Sequence, residues 1–305
     1  MTDKDDSAKY INYNKFSGRL EDVSCPTCFD PSPSKLIFKT SNGVGIWQCS
    51  DCEIMYASPR FTKESLLNIY ENRAFVDDSF YRDWSYEKWK RENRDRSYVT
   101  QKLKLQLLSR FLSEKDRVLD VGCGTGLFCL ETSKHGFKVE GIEPSRMLVE
   151  TGRKVLNVYL HHGFVEDFDP GYRYDGIVVW DVLEHVHNPV ELVNRCNDLM
   201  EDGGYLFVQV PNHDGISNRF KTFMYQKKLK GSDFKHFGFP WHVYSFNKKS
   251  LSRLLISCGF SPYLFESWSH MLKDGAEGLL PRLMISIAKR FCLSDYITCV
   301  ARKLP

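Results

Sequence analysis

Net charge, long apolar runs and low-complexity sequence are all scarce in this chain of 305 residues. Lys and Arg total 42 against 39 Asp and Glu, a net charge of +3, so there is no strong electrostatic reason to expect a nucleic-acid or anionic-membrane partner. No stretch approaches the roughly 20 apolar residues of a membrane-crossing helix. The opening MTDKDDSAKYINYNKF lacks the apolar core and small-residue cleavage site of a secretory signal, and a cytoplasmic location is the expectation. With 42% hydrophobic, 14% aromatic and 27% charged residues, the composition excludes disorder. The length suits one α/β domain of about 200 residues plus a smaller module.

Cysteine is the exception to this scarcity, with ten residues. Six of them, Cys123, Cys129, Cys196, Cys258, Cys292 and Cys299, lie singly in apolar patterns and read as reduced, buried thiols. The other four form the pairs Cys25-x2-Cys28 and Cys49-x2-Cys52 around a hairpin-like stretch, KLIFKTSNGVGIWQC. Two close thiolate pairs brought together by a hairpin make a closed tetrahedral site for a structural Zn2+, with no open position for chemistry. Four unligated thiols are the alternative.

The chain divides in this reading into a polar, frayed tail (1–20), a zinc ribbon (21–58), a helical linker and cap (59–115) and an α/β domain (116–305). Within the linker, TKESLLNIY follows a Thr62 cap candidate, an aromatic segment carries Phe80, Tyr81, Trp84, Tyr86 and Trp89, and SYVTQKLKLQLLSRFL has helical spacing. From Arg117 on, RVLDVG, KVEGIE, NVYLHH, YDGIVVW, GGYLFVQV, SPYLFES and YITCVAR alternate with helical patterns. That alternation predicts a mainly parallel sheet with helices on both faces.

The most informative segment is Asp120-Val121-Gly122-Cys123-Gly124-Thr125-Gly126, where a strand enters a glycine turn and then a helix. Glycines allow a sharp turn and close approach of a ligand. A pyrophosphate site has the spacing G-x-G-x-x-G, whereas this loop is G-x-G-x-G and follows a carboxylate that would repel phosphate. Asp120 would instead attract a phosphate-free ligand with ammonium and sulfonium charges, as S-adenosylmethionine has. Glu143, ending KVEGIE, is placed to accept hydrogen bonds from both hydroxyls of a ribose.

DVGCGTG, GIEPS, VVWDVLEHVHNP and YITCVARKLP together resemble class I S-adenosylmethionine-dependent methyltransferases. The nearest likeness is to members that carry an N-terminal zinc ribbon and are similar in the catalytic part to ubiquinone-biosynthesis O-methyltransferases; it spans about residues 20–305. The resemblance implies a Rossmann-like seven-stranded sheet of order 3-2-1-4-5-7-6 with the last strand antiparallel. Asp120, Gly122, Cys123, Gly124 and Gly126 would then cradle the methionine part of the cofactor and Glu143 its ribose. Val165 and Glu166 would border the adenine, and Trp180 and Asp181 would line the inner side. Phe164 stands where the family commonly has an acid after Gly163.

Methyl transfer needs mainly alignment and, for a hydroxyl acceptor, a base. Asp181, Glu184 and His185 fall at i, i+3 and i+4, one face of a helical turn. The similar enzymes have Glu-x-x-Glu-His here, implicated in holding a divalent cation, so a Mg2+ is implied; capping and orientation of neighbours is the other reading. A lid insertion (212–245) carries His213, Phe220, Tyr225, His236, Phe237, Phe239, Trp241, His242 and Tyr244 over an acceptor pocket. His242 is the first choice for the base and His185 is expected near the acceptor; anchoring the lid is the alternative for His242. His161 and His162 read as structural. Lys227, Lys228 and Lys230 form a solvated face or meet an acceptor phosphate. LLPRLMISIAKRFCL packs on the sheet, or against a membrane or second subunit.

Taken together, these residues predict methyl transfer to a small-molecule acceptor, as O-methylation of a sugar, polysaccharide precursor or phenolic compound. An RNA methyltransferase using the ribbon, or a non-catalytic cofactor-binding adaptor, are the competing readings.

Overall fold

The computed structural model describes residues 10–13, 16–28, 33–40, 43–70, 96–227, 237–238, 241–268 and 291–305. The aromatic segment Phe80 to Trp89, His236, Phe239, Lys228, Lys230 and most of LLPRLMISIAKRFCL lie outside the described residues.

Seven strands form the large sheet: β7 (Arg117–Val121), β8 (Lys138–Glu143), β9 (Leu160–His162), β10 (Tyr174–Trp180), β11 (Met200–Pro211), β13 (Phe260–Trp268) and β14 (Tyr296–Lys303). Their order is β13-β14-β11-β10-β7-β8-β9. Counted in chain order from the β9 edge this is 3-2-1-4-5-7-6, the order the resemblance implies. β7 pairs in parallel with β10 and β8, and β8 with β9. The interior strands are apolar because both faces are covered: Val118, Leu119, Ile177, Val178 and Val179 have no exposed surface. The helices are α1 (Lys63–Tyr70), α2 (Arg96–Leu108), α3 (Leu127–Ser133), α4 (Arg146–Leu156), α5 (Pro189–Asp198), α6 (Ile216–Gln226) and α7 (Lys248–Ser257). None among the described residues is long and apolar enough to cross a membrane.

Two smaller sheets complete the fold. One joins β1 (Tyr10–Tyr13), β2 (Phe16–Glu21) and β6 (Arg60–Phe61); the other has the order β12-β5-β4-β3, from β3 (Ser34–Lys39), β4 (Gly45–Cys49), β5 (Met55–Ser58) and β12 (Tyr244–Ser245). Residues 10–20 are therefore not a frayed tail. β1 pairs antiparallel with β2, from Tyr10↔Arg19 to Tyr13↔Phe16, since β-prone Tyr and Ile residues gain a ladder there and Leu20 is buried.

The chain forms two compact units. The first comprises Met1–Lys63, Asp181–Val193 and Val208–Ala301; the second comprises Glu64–Trp180, Asn194–Phe207 and Arg302–Pro305. In the first unit Val44, Ile46, Met55, Ala57 and Phe237 make a core with Ile37, Phe38 and Tyr225 packed against it. In the second, Cys129, Val149 and Leu160 pack beneath the glycine turn with Cys123 alongside.

Gly126 has φ +81, and a Cβ there would lie 2.8 Å from Val158 Cγ2 and 2.9 Å from Leu160 Cδ2. Left-handed strain and overlap together should make Gly126→Ala destabilising by about 1–3 kcal/mol. Calorimetric unfolding will read this as a lowered thermal midpoint.

Candidate active site

In the second unit, β7 delivers Asp120, 3% exposed, to the start of the glycine turn. Gly122 (φ +70) donates to Ile142 O at 2.8 Å, and Gly124 (φ +56) donates to Glu143 Oε2 at 3.0 Å. Glu143 Oε1 accepts from Ser145 N at 2.9 Å, so both carboxylate oxygens are held by backbone donors at the end of β8. A Cβ built on Gly124 meets nothing within 4 Å: this face of the turn is open. Val165 and Trp180 are buried, and Trp180 Nε1 has no hydrogen-bond partner among the described residues. A buried orphan donor and an open glycine face are what a cofactor cradle provides.

Burial pushes the carboxyls of Asp120 and Glu143 up, each to about 7. For Asp120 this is opposed by the positive charge of Lys104 and by Cys129 Sγ, which donates to Asp120 Oδ2 at 3.5 Å. In Glu143 the backbone donors at Ser145 and Gly124 oppose it. Lys104, itself 9% exposed, sits 5.1 Å above the Trp180 ring. Sequence reasoning missed it. The signal was a lysine on the buried stripe Thr100, Lys104, Leu108 of α2, where only apolar residues were counted.

The first unit holds the other candidate residues. Asp181 has φ +58, so the chain after β10 does not continue into a helical turn. Gln209 Nε2 donates to both Asp181 oxygens, at 2.7 and 2.8 Å. The expected Asp181, Glu184, His185 face is thereby corrected: Glu184 and His185 cluster instead with His242, each offering one ligand atom, all within 4.8 Å of one another. The two imidazoles meet edge to face with centroids 4.7 Å apart. His185 Nδ1 pairs with Trp241 O at 2.9 Å, and a ring nitrogen of His242 pairs with the Phe237 carbonyl. Each ring therefore spends one nitrogen on a backbone carbonyl and keeps the other as a lone pair, the arrangement typical of metal-binding imidazoles.

Burial lowers the basicity of both histidines; His242 falls to about 3, helped by its neighbour His185. Tyr296, on β14, was also missed in the sequence: burial and the negative charges of Asp181 and Glu184 raise its phenol. His161 pairs with Glu140 and His162 with Pro144 O, at the strand edge expected for them. His213 is buried, while Phe220 is exposed.

At the ribbon, Cys25 Sγ lies 3.4 Å from Cys52 Sγ, and Cys49 Sγ lies 3.9 Å from Cys28 Sγ. All four sulfurs are within 4.8 Å of one another. A Zn–S bond of about 2.3 Å gives a tetrahedral edge of about 3.8 Å, so the thiols fit that ion. The Cys52 hydrogen bond lowers Cys25 to about 5, while burial raises Cys28 to about 11. Such proton sharing among crowded thiols is what a dication would replace.

The sheet order and the glycine turn define the class I, S-adenosylmethionine-dependent methyltransferase fold. A methyltransferase-domain family matches residues 91–263, more than half of the chain, and the chain belongs to that family. It is similar to the ubiquinone biosynthesis O-methyltransferase of Rhodopseudomonas palustris (strain TIE-1), 32% identical over 103 residues, covering 32% of this chain and 41% of the relative. The enzyme of the same name from Coxiella burnetii (strain Dugway 5J108-111) is 32% identical over 114 residues, covering 35% and 47%. The chain thus spans less than half the length of these curated relatives. A solved S-adenosylmethionine-dependent methyltransferase from Thermotoga maritima aligns with TM-score 0.50 and 20% identity, over 79% of this chain and all of that one; this likeness shows the fold.

Proposed function

We propose that the chain transfers a methyl group from S-adenosylmethionine to an oxygen of a small-molecule acceptor, a sugar, polysaccharide precursor or phenolic compound. The observation that carries the reading is the pair of buried carboxylates, Asp120 and Glu143, at a glycine turn with an open face. Such a site repels phosphate and suits a cationic adenosyl ligand. The printed activity of the similar enzymes, O-methylation in ubiquinone biosynthesis, supports oxygen as the acceptor atom.

In this reading Asp120 and the turn at Gly122, Cys123, Gly124 and Gly126 hold the methionine part, and Glu143 accepts from the ribose hydroxyls. Val165 and Glu166 border the adenine; Trp180 and Asp181 line the inner side, and Lys104 balances Asp120. Bound S-adenosylmethionine supplies an electrophilic methyl carbon, and displacement needs alignment above all. Domain boundaries at 21–58 for the ribbon and 116–305 for the transferring part go with this proposal, as does a cytoplasmic location.

His242 and His185 face the acceptor. An imidazole as desolvated as His242 stays neutral at physiological pH and keeps a lone pair, which suits it to ligation more than to proton uptake. Glu184, His185 and His242 would hold a divalent cation, which would lower the acidity constant of an acceptor hydroxyl. Two imidazoles favour a transition-series ion over the Mg2+ implied by resemblance. The four ribbon cysteines hold structural zinc, and metal analysis is expected to find one tightly held zinc per chain, lost in Cys49→Ser.

Cofactor affinity should depend on pH. Asp120 and Glu143 titrate near 7 in the free protein, and the cationic ligand requires their charged forms. Affinity for S-adenosylmethionine therefore falls on acidification below pH 7, by up to about tenfold per unit for each carboxyl. Isothermal calorimetry from pH 5.5 to 7.5 measures this, and a flat profile would contradict it. The proposal as a whole is tested by incubating the protein with isotope-labelled methyl donor and a cell extract. A labelled small molecule with an O–CH3 group supports it; binding of NAD in place of S-adenosylhomocysteine sinks it.

A further inference from the structure

We infer that the four-cysteine ribbon is the mount for the acceptor-side histidines: β5, leaving the cysteine knuckle, takes the residues after His242 as the fourth strand of the ribbon sheet. This inference rests on the reading of His185 and His242 as acceptor-facing, and it gives the ribbon a role in the reaction beyond its own stability.

The connections form a continuous series within the first unit. Cys49 and Glu53 close the knuckle through Glu53 N to Cys49 O at 3.0 Å and Cys49 N to Ile54 O at 3.0 Å. β5 starts two residues after Glu53 and pairs antiparallel with β12, Tyr244 opposite Tyr56 and Ser245 opposite Met55. Ala57 N donates to Val243 O at 2.9 Å, so the ladder reaches the residue that follows His242. On its other side the same segment captures the second histidine. Val243 N and Tyr244 N both donate to Glu184 O, at 2.8 and 3.2 Å, and Trp241 O pairs with His185 Nδ1.

Two side-chain struts repeat the connection. Arg60, two residues past β5 and 5% exposed, donates to the Tyr244 hydroxyl and to His187 O, and its Nε pairs with Glu21 Oε1 at 2.9 Å. Tyr244 Oη in turn donates to His187 O at 3.1 Å. The second strut is Glu53, beside Cys52, whose carboxylate accepts from Asn247 Nδ2 at 2.9 Å and pairs with Lys249 at 2.7 Å. Asn247 caps α7. Both ends of the β12 segment are thus fixed to residues within one turn of a cysteine or at the exit of β5, and Glu184, His185 and His242 hang from that segment. A two-residue strand has too few hydrogen bonds to persist alone. It depends on β5 being in place, and β5 depends on the knuckle.

Hydrogen–deuterium exchange on the full chain tests this without an identified acceptor. Zinc-loaded and chelator-stripped protein are compared, each with S-adenosylhomocysteine titrated by calorimetry. Stripping is expected to raise exchange at least tenfold in peptides covering 241–246 and 182–187 as well as 34–58. Peptides covering 117–143 stay protected and the S-adenosylhomocysteine dissociation constant moves less than threefold. Tyr244→Phe and Arg60→Gln keep all four thiols; each should retain one zinc per chain yet raise exchange at 182–187 several-fold. In two-bond 1H–15N spectra they should also alter the His185 ring signals that report its Nδ1–H tautomer. Deprotection confined to 34–58 overturns the inference, as does global deprotection with loss of cofactor binding, or unchanged His185 signals in both variants. Absence of S-adenosylhomocysteine binding in loaded protein, with 241–246 and 182–187 still responding to stripping, would sink the methyl-transfer reading and leave the mount standing.

Discussion

Glu143→Gln should weaken S-adenosylmethionine binding about a hundredfold, the largest single-residue effect on the cofactor expected in this chain. Glu143 already accepts Gly124 N and Ser145 N, one on each oxygen. Glutamine replaces one acceptor by a donor, so an amide N–H is left facing an N–H, and the charge that strengthens a ribose hydroxyl bond is gone. Two charge-assisted hydrogen bonds at about 1.5–3 kcal/mol each, partly retained through the remaining oxygen, set the scale. Calorimetry with the variant measures it, with circular dichroism to verify the fold. A loss under threefold would remove Glu143 from the cofactor site and with it the main support for the functional reading.

The second large effect is expected at the other unit, where His242→Ala and Glu184→Gln should each lower methyl transfer by about 10²–10⁴-fold with the S-adenosylhomocysteine dissociation constant nearly constant. Asp181→Asn should do far less. Its carboxylate is engaged by Gln209 and stands outside the Glu184, His185, His242 cluster. Transfer of label into the acceptor found in cell extract provides the measurement. Equal losses for Asp181→Asn and His242→Ala would restore the face at i, i+3 and i+4 that the sequence suggests and the structure breaks.

What the sequence makes legible here is what is local. A strand, a glycine turn and a helix within fifteen residues declare themselves through composition, because each glycine answers a backbone need: Gly122, Gly124 and Gly126 all have positive φ. Cysteine pairs at x2 spacing are similarly self-contained. Other features escape for identifiable reasons. His242 meets His185 only through a fold that brings together positions far apart in sequence, and β12 has two residues, too few to carry a period. Asp181 adopts a left-handed conformation that aspartate tolerates without advertising. In α2, Lys104 sits on the buried stripe because its charge is answered from β7 by Asp120, an answer that helical periodicity does not contain. The hairpin at residues 10–21 was hidden by polar composition, since half of each strand is Asn, Ser, Arg or Glu.

The pairing of β5 with β12 also governs the order in which the molecule can be made. While the nascent chain emerges, β5 presents a bare strand edge carrying Met55, Tyr56 and Ala57 until Tyr244 has been synthesised, an interval of roughly ten to forty seconds at about 5–20 residues per second. Such an edge is a template for pairing with another chain. A ribbon fragment cut just after its cysteines would keep that edge uncovered for good, and the first sixty residues are accordingly a poor choice for expression in isolation.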